Sequence, residues 1–259
     1  MRRRRQLFVA AFYAVVLVAA ELAIRAAGAR DTLPSPSGVM AAISGNLASG
    51  ELPIAVRQSL GRILLAFLFA AIAGTVIGIA MGRIRLVDRA IGPIVNALRS
   101  VAPIALIPLA VLWFGVTGAS AVFIVAYAAI FPIILNASEA ARNVDMRFVN
   151  AARTLGAGKW VLLRRVILPA TAPATITGAR IAMGFAWASI VAAELAIGVK
   201  LETGGRIEAG IGQIMVSTLF VDRDVNGLVS YMLVIGLIGF AIDRGMRRLH
   251  RHFAPWETA

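Results

Sequence analysis

The sequence predicts an all-α membrane protein with six transmembrane helices. Three observations carry that prediction. Of the 259 residues, 59% are hydrophobic and only 15% charged, against roughly 45–50% and ~25% in soluble domains, and the mean hydropathy is +0.83. Six apolar runs approach the roughly 20 residues that a helix needs to cross a hydrocarbon core of ~30 Å. The cations between those runs fall mainly on alternate connections. Disorder, collagen and an ordinary soluble enzyme are excluded on composition. The period-2 alternation of a membrane barrel is missing. Cysteine is absent, so disulfides, thiolate metal sites and thiol catalysis are excluded.

The six runs are Leu7–Ile24, Ile63–Gly82, Ile91–Phe114, Ala119–Leu135, Ala170–Val199 and Val225–Ile242. A basic start and small residues near Ala26–Ala29 also fit a cleaved signal peptide for the first run. Glu21 and Arg25 spoil that cleavage region, and the other five spans keep the same orientation either way. The second run carries Gly74, Gly78 and Gly82 at four-residue spacing, a face that admits close approach of another helix. An intramolecular contact is the simpler reading, and a dimer seam is the other. The third run contains Pro103 and Pro108 and is expected to be kinked or interrupted.

One side of the membrane collects Arg2–Arg5, Arg83, Arg85, Arg89, Arg142, Arg147, Arg153, Lys159, Arg164, Arg165, Arg244, Arg247, Arg248 and Arg251. The other holds Arg25, Arg30, Arg57, Arg62, Lys200, Arg206 and Arg223. The positive-inside rule places both termini and the 136–169 connection in the cytoplasm. Three blocks follow: residues 1–58 with the first helix and an external segment, a core over 59–247, and a basic tail over 248–259.

The 136–169 connection has an unusual centre, NAARTLGAGKWVLLRRVILPA, from Asn150 to Ala170. Ala151 and Ala152 favour helix, and Gly156 and Gly158 interrupt it. Lys159 to Ile167 can restart the helix, with Pro169 expected to end it. The expectation is two short helices joined by a glycine turn beneath the membrane, apolar side against the bundle and polar side outward.

The spacing of Ala151, Ala152, Gly156, Val166, Leu168 and Pro169 resembles the EAA loop of ABC importer permeases. LRSVAPIALIPLAVLWFG (Leu98–Gly115) and GARIAMGFAWASIVAAEL (Gly178–Leu195) are similar to permeases of the nitrate/sulfonate/taurine branch. The likeness covers nearly all residues after about Ser59. Two positions depart from it: Asn150 stands where the loop usually has Glu, removing a carboxylate, and Val166 replaces Ile. The resemblance implies a type I, MetI-like importer permease core with a cytoplasmic coupling helix, in a bacterial inner membrane. It implies a second permease copy, two ATPase subunits that bind ATP and Mg, and an external solute-binding protein. ATPase coupling is then expected of Asp145, Arg147, Asn150, Ala151, Ala152, Arg153, Gly156, Lys159, Leu168 and Pro169. The cargo it suggests is a small anion of the sulfonate, taurine or nitrate kind, moved inward by alternating access.

The chain itself carries no nucleotide site. Around Gly156-Ala157-Gly158-Lys159-Trp160, a phosphate loop would need Ser or Thr at Trp160 and Gly at Thr154. His250 and His252 stand in the basic tail with no carboxylate cluster, so no metal site is expected. The basic residues are spread over separate loops, which argues against nucleic-acid binding.

A charge at the bilayer centre costs about 2.5–3.5 kcal/mol on insertion scales and therefore faces protein or water. Arg99, Arg180, Trp187 and Glu194 are the candidates for a translocation pathway. Arg180 lies ten residues into its run, ~15 Å along a helix. It either gives the pathway a positive character or pairs with an acid on a neighbouring helix. Arg99 fits carbonyl capping or a phosphate headgroup better than the pathway. The segment Lys200–Asn226 is expected to include a short re-entrant helix, Ile211–Phe220, as a contact for the binding protein or as part of a connector. An ion-coupled secondary transporter is the alternative function. It would call for carboxylates at membrane depth, and Glu21 and Glu194 both lie near span ends.

Overall fold

The structure is a computed structural model that describes residues 12, 15, 16, 18–27, 33–198 and 209–253. The first apolar run is described only in part; residues 18–26 are helical, and the rest of that run lies outside the described residues. The other elements follow as α1 (Pro36–Ala48), α2 (Glu51–Arg83), α3 (Arg85–Arg99), a 3-10 turn (Pro103–Leu106), α4 (Ile107–Phe114), α5 (Gly118–Arg142), α6 (Met146–Thr154), α7 (Lys159–Leu162), a π-helical turn (Leu163–Ile167), α8 (Leu168–Ile197), α9 (Ile211–Phe220) and α10 (Val225–Phe253). Among the described residues four helices are long and apolar enough to cross a membrane, and a fifth is counted if α3 and Pro103–Phe114 are taken together as one bent span.

The core is the packing of α2, α5 and α8. Small side chains meet there: Ala66 and Ala70, Ala121 and Ala129, Ala182, Ala186 and Ala193 are all buried in one cluster. In lipid, helices associate by close backbone approach rather than by hydrophobic burial, which is why the contact is built from small residues. The glycine face of α2 is the extreme case. A Cβ at Gly78 would stand 2.5 Å from the carbonyl oxygen of Ile134, and one at Gly82 2.5 Å from that of Ser138. The Gly74–Gly78–Gly82 face is therefore filled by α5 within the same chain. Leu64, Leu65, Leu68, Phe69, Ile72 and Val76 point away from this contact and are exposed, as a lipid-facing surface requires.

The run Ile91–Phe114 is interrupted, as its prolines lead one to expect, and only its start is corrected. It is two helices bent by 93°, and the first begins at Arg85. The break falls at Ser100–Ala102, one residue ahead of Pro103 at the start of the 3-10 turn. Proline at that place favours an extended residue before it, and Ala102 is extended at φ −63°, ψ 131°.

Pro169 is also corrected: it does not end a helix. Lys159–Ile197 runs as one 39-residue helix. Leu163–Ile167 form a π turn, and Pro169 occupies the first turn of α8 behind it. The widened turn shifts the hydrogen-bond ladder where proline has no donor to give. α5 reaches Arg142, so the non-helical parts of the 136–169 connection are only 143–145 and 155–158. α1, which the sequence reading leaves in an external segment, is started by Pro36 and by the Ser35 side chain accepting from the Gly38 amide at 3.1 Å.

Candidate functional site: the arginine-rich end and the pathway residues

At the arginine-rich end of the bundle, α6 projects from the core. Asp145 caps it, its carboxylate accepting from the Arg147 amide at 2.8 Å. Its far end closes as a Schellman motif: the Ala157 amide donates to the Ala152 carbonyl at 3.0 Å and the Gly156 amide to that of Arg153 at 2.9 Å. Gly156 takes φ +79°, the left-handed conformation in which a side chain is disfavoured. This is the physical content of the glycine break read from the sequence.

One face of α6 is anchored. Val149 is fully buried in a cluster with Ile79, Ala137, Ala141, Val144, Leu162 and Ile167, and Ala152 packs on its edge. The helix is thereby tied to α2, α5 and the start of the α7–α8 rod. The other face is open. Arg147, Asn150, Ala151, Arg153 and Lys159 are all exposed. Asn150 keeps its backbone role, accepting from the Thr154 hydroxyl at 3.1 Å. Leu168 and Pro169 lie apart from α6, exposed in the first turn of α8.

The outward face is not simply polar, as expected, but carries Phe148, Leu155 and Trp160, exposed by 66%, 87% and 70%. The sequence reading missed them. Their signal was available: Phe148 and Leu155 are seven apart and fall within about 20° of each other around the helix, while the buried Val149 stands about 100° away. Large apolar side chains ringed by cations form a surface suited to a protein partner rather than to water.

The four pathway candidates lie in different surroundings. Arg180 approaches Asp243 of α10 at 3.9 Å, and Asp243 also binds Arg247 at 2.5 Å. Of its two sequence readings, this geometry matches pairing with a neighbouring helix. Trp187 is half-buried on the central cluster, against Gly239 of α10. Glu194 is 1% exposed and held by a clasp at the end of the bundle opposite α6. Its carboxylate accepts from the Ser59 hydroxyl at 2.8 Å, from Arg62 at 2.8 Å and from the Gly212 amide at 3.1 Å. Ser59 in turn accepts from the Ile211 amide at 3.0 Å. Gln213 takes the Gly210 amide at 2.8 Å and donates to the Gly198 carbonyl at 2.6 Å. The clasp ties the first turn of α9 to α2 and α8. Ser59, Arg62 and Gln213 were not foreseen, because Ser59 and Arg62 reach Glu194 from a helix distant in sequence and Gln213 joins them only through Arg62. Arg99, at the end of α3, is exposed and makes no side-chain hydrogen bond or ion pair among the described residues.

Comparisons with known proteins agree on the kind of molecule. Residues 74–255 match the family model of the binding-protein-dependent transport system inner membrane component. A putative ABC transporter permease protein of Methanocaldococcus jannaschii is 33% identical over 213 residues, covering 82% of this chain and 76% of the relative. The taurine transport system permease protein of Escherichia coli is 34% identical over 200 residues, covering 77% and 69%. The bicarbonate transport system permease protein of Synechocystis sp. is 30% identical over 199 residues, covering 77% and 68%. The fold is similar to a chain of an inward-facing methionine ABC transporter, at TM-score 0.64 and 20% identity over 78% of this chain and 95% of that one. With apolar spanning helices around a small-residue core and a matched segment that includes the α6 projection, this chain belongs to the family of binding-protein-dependent transport system inner membrane components, the permeases of ABC transporters.

Proposed function

We propose that the chain is the membrane-spanning subunit of an ATP-driven importer and that α6 is its coupling helix. Two permease copies would form the pathway, two ATPase subunits would dock beneath them with ATP and Mg, and an external solute-binding protein would deliver the cargo. The arginine-rich end is then cytoplasmic, and so are both termini. The observation that carries this reading is the two-faced α6. Val149 anchors it to the bundle, while Phe148, Leu155 and Trp160 stand exposed among Arg147, Arg153 and Lys159.

The mechanism follows from that geometry. Exposed apolar anchors fill a groove of the ATPase, and the cations orient it. Closure of the ATPases around ATP draws the two α6 helices together. Because α6 is packed on α2, α5 and α7–α8, the pull tilts the spans and opens the path outward. Hydrolysis returns it inward. The Asn150 position offers an amide where the related loop usually has a carboxylate, so docking at that point relies on neutral hydrogen bonding. The cargo is a small anion, supported by the taurine and bicarbonate permeases among the relatives.

The test is co-purification with the ATPase and stimulation of its hydrolysis. A Leu155→Asp, Trp160→Ala variant is expected to insert and fold normally, because both side chains are exposed, yet to lose ATPase retention by at least tenfold. Retention unchanged by both substitutions would overturn the docking role of this face.

A further inference from the structure

α3 carries a polar stripe that no contact inside the chain accounts for. At 3.6 residues per turn, Arg85, Arg89, Asn96 and Arg99 fall within an arc of about 80°. All four are exposed, and none makes a side-chain hydrogen bond or ion pair among the described residues. The remaining exposed surface of the helix is apolar: Leu86, Ala90, Ile91, Ile94, Ala97 and Leu98.

α3 packs lengthwise beside α5. Near its start Asp88 pairs with Arg142 at the arginine-rich end of α5. Val87 and Val95 share a cluster with Tyr127, Phe131 and Ile134, and near its end the Leu98 carbonyl accepts from the Tyr127 hydroxyl. Asn96 and Arg99 thus stand roughly 16–21 Å along the axis from Arg85, well inside a core of ~30 Å. Pro93 adds to the polarity of the same side. It has no N–H to offer the Arg89 carbonyl four residues back, which removes that carbonyl's usual helical donor. The helix then breaks at Ser100–Ala102, and broken helices at membrane depth are tolerated where they line water or protein.

The Arg99 guanidinium and the Asn96 amide at this depth do not face lipid tails, and Arg89 continues the stripe toward Arg85 at the arginine-rich end. The stripe holds donors in excess and no carboxylate, since Asp88 is engaged by Arg142. Guanidinium forks match the oxygens of planar and tetrahedral oxyanions. We propose that this stripe is one wall of an aqueous path, in which Asn96 and Arg99 hold a small oxyanion and Arg89 and Arg85 lead it to the arginine-rich end. The proposal rests on the permease reading and assigns that permease its cargo-contacting surface. The same chemistry would also take a phospholipid phosphate, and the experiment separates the two.

Because the chain has no cysteine, single replacements Asn96→Cys, Arg99→Cys, Ala90→Cys and Ile94→Cys can be read without background. Each variant is purified with its ATPase and placed in nanodiscs of phosphatidylcholine alone or with anionic lipid. The probe is methanethiosulfonate ethylsulfonate, a small sulfonate that labels thiols only through water. Asn96→Cys and Arg99→Cys are expected to react at least tenfold faster than Ala90→Cys and Ile94→Cys in both lipids. Adding Arg89→Gln is expected to slow the anionic probe at Asn96→Cys severalfold and to speed a cationic methanethiosulfonate. Equal rates at all four positions would overturn the proposal. So would an Arg89 effect that exists only with anionic lipid, which would assign the guanidinium to headgroups. An unreactive stripe on a chain that retains its ATPase sinks the stripe alone. A reactive stripe on a chain that never binds an ATPase keeps the wall and sinks the importer reading.

Discussion

Removing the carboxylate of Glu194 is the sharpest perturbation the structure offers. Three groups converge on it: the Ser59 hydroxyl, Arg62 and the Gly212 amide. The side chains of the ion pair are 1% and 11% exposed, so water cannot replace what is lost. Truncating one partner of a buried ion pair costs about 3–5 kcal/mol, because the remaining charge stays desolvated. Glu194→Ala is therefore expected to destabilise the chain by about that amount. Glu194→Gln keeps an acceptor oxygen but loses charge-assisted bonds, and about 1.5–3 kcal/mol is expected. The double change Glu194→Leu, Arg62→Met removes both charges and is expected to cost less than the sum of the single variants by at least ~2 kcal/mol. Denaturant-induced unfolding in mixed micelles reads the energies. Limited proteolysis of residues 209–224 reads whether α9 has come loose, since the clasp is what holds its first turn. Small single effects that add in the double variant would refute the clasp. Unchanged stability with altered anion transport in Glu194→Gln would return this residue to the pathway.

Two further outcomes follow from the packing. Gly78→Val is expected to lower stability by about 1–3 kcal/mol, because its Cβ alone would stand 2.5 Å from a backbone oxygen of α5; Gly61→Ala, in the same helix with nothing within 4 Å, is expected to be neutral or to stabilise by up to about 1 kcal/mol. Equal unfolding free energies for the two variants would refute the close α2–α5 contact. Gly156→Ala forces a side chain into φ +79° at a cost of about 1–2 kcal/mol, and is expected to reduce ATPase stimulation severalfold with normal membrane insertion; full stimulation would show that the Schellman turn does not set the pose of α6.

The parts of this fold that were legible in the sequence are those with a local signature. Apolar runs gave the long helices, and the four-residue glycine spacing gave a close helix contact. Gly156 gave the turn after α6, and Asp145 stands where a helix cap belongs. What escaped depends on partners distant in sequence. Ser59 and Arg62 look like ordinary residues at the outer end of a span until Glu194 and the start of α9 are brought to them. The 93° break at Ser100–Ala102 could not be told from a proline kink, since Pro103 predicts both. Pro169 misled for a specific reason: its usual conflict with a continuing helix is relieved by the π turn at Leu163–Ile167, and no residue type in that stretch announces such a turn. The exposed Phe148, Leu155 and Trp160 were hidden by the expectation that a basic loop shows only charge outward.

The central claim is that α6 transmits force from a separate nucleotide-driven motor, and crosslinking tests it most directly. In the cysteine-free chain, Leu155→Cys is carried into the assembled transporter and treated with a short bifunctional thiol reagent, with Ile72→Cys on the exposed flank of α2 as the control. The account predicts a covalent adduct between the Leu155→Cys chain and the ATPase, formed at a rate that changes when ATP is bound, and none from Ile72→Cys. Leu155→Cys that reacts only with reagent applied from the external side, or that never joins the ATPase while the transporter remains active, would contradict it.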